Sequence, residues 1–136
     1  MFFKNNKTKE NTDYLTKICA LLIHAAKIDQ NYTEIEEVII KKTLLKLGSN
    51  EKNIINIIKE AKLLEENSNQ ILDFTKEVKN LSEGSKLKII EALWSIIYSN
   101  KEADIYESNL MRRLAGLLYI DSRTMGNIKD KIKKKS

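Results

Sequence analysis

Proline is absent from this chain of 136 residues, and glycine occurs four times, at positions 48, 84, 116 and 126. Without residues that break hydrogen-bond ladders, and with Leu, Ile, Lys and Glu dominant, the composition predicts an all-helical protein. Cys19 is the only cysteine. It excludes an internal disulfide and, inside the apolar run "ICALLI", reads as a small buried hydrophobe in a reducing compartment. His24 is the only histidine, so no Cys/His cluster can hold zinc. No glycine-rich phosphate cradle occurs, and the Ser and Thr residues stand mostly at helix starts. Paired carboxylates fall on hydrated connections where nothing raises a pKa. These absences predict a protein without catalytic activity or a small-molecule substrate. The apolar run of the first helix is cut by His24 and cannot reach the ~20 residues of a span. The start "MFFKNNK" lacks the apolar region of a secretory signal. The expected location is cytoplasmic.

What is present fits one domain. The chain is 42% hydrophobic and 32% charged, and this length buries roughly two-thirds of the unfolded surface. The formal charge of +5 is unevenly spread. Residues 1–12 carry +2 and residues 123–136 carry +5, and taking both from the total leaves the middle at −2. The expected layout is a flexible basic arm over 1–11, a helical domain over 12–128 and a basic tail over 129–136. Lys129, Lys131, Lys133, Lys134 and Lys135 of that tail suit nucleic acid, an anionic lipid surface or plain solvation.

Seven helices are predicted. The first runs from a Thr12 cap to Lys27, with Leu15, Ile18, Cys19 and Leu22 inward. The second opens at Thr33, where Thr33-Glu34-Ile35-Glu36 has capping-box spacing. It continues through Ile35, Val38, Ile39 and Leu45 to a stop at Gly48. A third starts at Ser49 or Asn50 and buries Ile54, Ile55, Ile58 and Ala61. A short fourth passes through Phe74 and Val78. The fifth begins near Ser82 and packs Ile90, Leu93, Trp94 and Ile97. Asp104-Ile105-Tyr106-Glu107 repeats the capping-box spacing and opens the sixth, and Asp121 caps the seventh. At an offset of 71 residues Leu22 falls on Leu93, Thr33 on Asp104, Glu36 on Glu107 and Leu47 on Leu118. One compact bundle of two pseudo-repeated helix–hinge–helix units follows, packed about a pseudo-twofold.

The two hinges draw the functional questions. Neither is an EF-hand, because Glu34 and Ile105 occupy the glycine position and Ile40 and Met111 the final ligand position. A looser divalent-cation site is open to Asp29 with Glu36 or Glu37, and to Glu102 with Asp104 and Glu107. The alternative is that Thr33/Glu36 and Asp104/Glu107 only cap helices. A recognition face for a protein partner would draw on Asp29, Thr33, Glu36, Glu37, Glu102, Asp104, Tyr106 and Glu107. Tyr98 and Tyr106 flank the second hinge with polar tips available to that partner.

Residues 93–118, "LWSIIYSNKEADIYESNLMRRLAGLL", resemble the TerB-like family, named for tellurite resistance. Trp94, Tyr98, Glu102, Asp104, Tyr106, Glu107, Leu110, Arg113, Ala115, Leu117 and Leu118 carry the likeness. In the first unit Ala26, Asp29, Thr33 and Glu36 do so. The resemblance covers about residues 12–130 and implies an all-α fold with no established catalytic activity. It also implies metal binding or membrane-linked stress complexes; a divalent-cation-binding stress protein would use Asp29, Glu36, Asp104 and Glu107 as ligands. The family's Asp-Gly hinges are replaced by Asp29-Gln30 and Asn100-Lys101, removing two glycines and one anionic ligand. Related domains also precede J-domains in co-chaperones, but a chain without proline cannot contain that activity's His-Pro-Asp.

Overall fold

In the computed structural model, residues 2–27, 33–67, 72–99 and 105–135 are described, with side chains from 14–27, 33–67, 74–76, 78–99 and 108–135. Seven helices occur among the described residues, and no strand. They are α1 (Phe2–Ala26), α2 (Glu34–Lys46), α3 (Glu51–Asn67), α4 (Leu72–Lys79), α5 (Glu83–Tyr98), α6 (Ile105–Leu117) and α7 (Ser122–Lys135).

The starts follow from side chains that satisfy orphan amides. Asn50 Oδ1 accepts from the Asn53 N–H at 3.0 Å, Ser82 Oγ from Ser85 at 3.3 Å, and Asp121 Oδ1 from Thr124 at 2.7 Å. The Asp121 bond holds its carboxyl below the usual range, because the amide favours the charged form.

Helices α1 and α5 form the centre. From Ile18 to Ala26 every residue of α1 except His24 is buried, and from Ile89 to Tyr98 all but Glu91 and Ser95 are buried in α5. A helix apolar all round must be surrounded. Accordingly α1 packs against α2, α3, α4 and α5, while α5 also meets α2 and α7. Trp94 is a core residue whose Nε1–H points at Met125 Sδ, 3.3 Å away. Tyr98, expected to show its tip to a partner, is instead buried and stacked on Trp94 at 5.8 Å.

The repeat is visible in the helix bounds. A shift of 71 carries α2 onto α6 at both ends and the start of α3 onto the start of α7.

The first helix starts at Phe2 and not at Thr12, and no glycine or proline interrupts the chain before Ala26. The seventh continues through residues 129–135 as expected, with Ile128 and Ile132, four apart, packed on the core. A further correction concerns α2 and α3. Their buried hydrophobic residues are Ile40, Leu44, Ile54, Ile57, Ile58 and Ala61, whereas Ile55, expected inside, is exposed, as are Ile35, Val38 and Leu45 of α2.

Candidate functional site

The first hinge ends in a complete capping box. Thr33 is extended (φ −100°, ψ 164°), its N–H donates to Glu36 Oε1 at 2.8 Å, and its Oγ1 accepts from the Glu36 N–H at 3.2 Å. Glu36 is 1% exposed. A carboxylate so placed serves the helix start and lies behind the surface, so it is not a contact residue for a partner. Asp29, Glu102 and Asp104 lie outside the described residues. Tyr106 and Glu107 belong to α6 but lie outside the described side chains. Among the four candidate cation ligands only Glu36 has a described side chain, and its Oε1 is engaged by the Thr33 N–H. Among the described residues no cluster of three or more His, Cys, Asp or Glu could hold a metal ion.

Charged contacts tie the hinge region to α3. Glu65 accepts from Lys27 Nζ at 2.8 Å and lies 3.3 Å from His24 Nδ1. The carboxylate raises the Lys27 pKa, chiefly through that hydrogen bond. Glu37 pairs with Lys62 at 3.4 Å, joining the start of α2 to the end of α3 and fixing the two helices antiparallel. Cys19 is a buried thiol whose pKa is pushed up to about 12 by desolvation, the opposite of a reactive nucleophile.

The basic residues of α7 are partly used. Lys129 Nζ sits 5.4 Å from the centre of the Trp94 ring, and Lys131 reaches Glu91 at 3.8 Å. Lys133, Lys134 and Lys135 are exposed on the last turn, where positive charge suits the helix dipole.

Sequence reasoning missed the outer face of α2 and α3. Ile35 (62% exposed), Val38, Leu45, Ile55 (72%) and Leu63 (55%) are left in water on adjacent helices. The available signal was width. Apolar residues at 35, 38, 39, 40, 44 and 45 of α2, and at 54, 55, 57, 58, 63 and 64 of α3, span more than one stripe needs. Between the two helices lies a groove of about 380 Å³, floored by Ile55, Ile58 and Leu63 and edged by Glu37, Lys41, Lys59 and Lys62. The 71-residue shift carries Glu37, Lys41 and Ile55 onto Ser108, Arg112 and Gly126. These line a second recess, of about 220 Å³, between α6 and α7. The repeat thus sets a groove in the same place in each half, and only the first is lined by exposed isoleucine and leucine.

The architecture is that of an all-α module whose two halves repeat one helix pattern at a shift of 71 residues. The chain belongs to the TerB family: a family model described as "Tellurite resistance protein TerB" matches residues 15–130, most of its length. Neither the curated proteins nor the solved structures searched contain a match. Among the described residues no helix is long and apolar enough to cross a membrane.

Proposed function

We propose that this TerB-family chain is a non-catalytic, cytoplasmic docking module that holds a protein partner on the outer face of α2 and α3. The observation that carries the reading is the exposure of Ile55 and Leu63 along an open groove between α2 and α3. Apolar patches of this kind mark interaction sites, because leaving them in water opposes the hydrophobic effect. The buried Cys19 thiol and the engagement of His24 by Glu65 support a role without nucleophilic chemistry. The family description names tellurite resistance, and the setting we propose for the partner is a stress-response or membrane-associated complex.

The test is site-specific photocrosslinking in cells expressing the chain. A photoreactive residue at position 55 is expected to capture one partner, and Leu63→Asp to abolish the capture. The same probe at Asn127, on α7, is expected to capture nothing. Equal labelling from both positions, or none from position 55, would sink the reading.

A further inference from the structure

We propose that the α2–α3 groove receives an acidic amphipathic helix of the partner protein; the inference rests on the docking reading above and names the chemistry of its ligand. Shape favours a helix. The apolar floor runs from Ile55 to Leu63 along α3, eight residues or about 12 Å at a rise of ~1.5 Å per residue. That distance accepts two or three anchors at positions i, i+4 and i+7 of a partner helix. Among the described residues there is no sheet edge on which an extended segment could pair.

Charge favours acidic flanks on that helix. Three lysines and one glutamate edge the groove, and Glu37 is already paired with Lys62. Lys41 and Lys59 are exposed and form no ion pair among the described residues. Glutamates or aspartates beside the anchors would meet both cations as the apolar residues enter. Complementary rim charge of this kind raises the association rate and selects the partner.

The experiment is selection, against the full chain, from a displayed library of 16-residue helices with fixed leucines at i, i+4 and i+7 and randomised flanks. Enriched sequences are expected to carry Asp and Glu in the flanks. Binding of a synthetic enriched peptide should fall about tenfold in the Lys41→Glu/Lys59→Glu variant and disappear in Ile55→Asp. All three positions are exposed, so these variants should fold, which circular dichroism checks. Flanks that come out neutral or basic, with Ile55 still required, would overturn the acidic ligand and leave the docking reading standing. Binding insensitive to Ile55→Asp, including binding moved to the α6–α7 recess, would overturn both. Failure to enrich any helix would overturn the helical ligand alone, whereas self-association that buries Ile55, or preferential binding to phosphatidylglycerol vesicles through Lys41 and Lys59, would overturn both.

Discussion

Gly48 and Tyr119 lie 71 residues apart and occupy the same left-handed position, one just past α2 and the other just past α6. Their φ values are 110° and 57°. Both close a Schellman turn. Ser49 N–H donates to Leu44 O at 3.0 Å and Gly48 N–H to Leu45 O at 3.1 Å. In the second half Ile120 N–H donates to Ala115 O at 2.9 Å and Tyr119 N–H to Gly116 O at 3.4 Å. Glycine fills the position without strain, and tyrosine does so against its own Cβ. Lys79 lies 4.8 Å from the centre of the Tyr119 ring, an exposed cation–π contact that offsets part of the strain.

Gly48→Ala should therefore destabilise the fold by about 1 kcal/mol through backbone conformation alone. No atom stands within 4 Å of the added Cβ. Gly126→Ala, equally open but inside α7, should stabilise by up to about 1 kcal/mol. Urea denaturation of the two variants checks the opposite signs.

The capping box predicts a second pair of effects. Thr33→Ala removes the acceptor for the Glu36 N–H and should lower stability by about 1 kcal/mol. Glu36→Ala should lower it further, since it also leaves the Thr33 N–H without its acceptor and opens space at a buried site. Glu36→Gln, which keeps an oxygen, should fall between wild type and Glu36→Ala in the same urea series.

Cys19 sets a pH dependence at the alkaline end. Its folded pKa lies at about 12, above its ordinary 9.0, so between those values the unfolded chain loses the proton and the folded chain keeps it. The stabilising contribution is complete below pH 9 and is lost as pH rises toward 12, at up to about 1.4 kcal/mol per pH unit. Cys19→Ala should flatten this slope in denaturation at pH 9 to 11. A thiol reagent should label Cys19 only after unfolding.

Lys86 predicts the effect of a buried cation. Its Nζ donates to Leu118 O at 3.1 Å, capping the last turn of α6 from within the core. Lys86→Met should cost about 1–3 kcal/mol by leaving that carbonyl without this donor. Lys88→Met, two residues away and exposed, should stay within about 0.5 kcal/mol. Guanidinium midpoints for the pair decide the matter.

How far the chain could be read before folding depends on the range of the forces involved. Thr33/Glu36, Ser82 and Asp121 were legible because capping is settled within three or four residues. The 71-residue register was legible because apolar spacing and the capping positions repeat together. The buried stripe of α2 was not, because Ile35, Val38, Ile39, Ile40, Leu44 and Leu45 offer two overlapping faces. Only the positions of α1, α3 and α5 decide that Ile40 and Leu44 go inward. The groove escaped notice for the same reason, being made of residues that ordinary patterning assigns to a core. Lys86 offered no sequence sign, since its partner is a carbonyl 32 residues away.

Glu65 gives the bundle a mechanical property. With Lys27 and His24 on its two oxygens, it pins the C-terminal end of α1 to the last turns of α3. Two residues earlier stands Leu63 of the groove, and one earlier still Lys62, which grips α2 through Glu37. A load on the outer face of α3 is thus carried inward through Glu65 to the helix at the centre of the molecule, and sideways through Lys62 to its neighbour. The end of α3 acts as a tie rod: it cannot slide along α1 or away from α2 without breaking charged contacts on both sides.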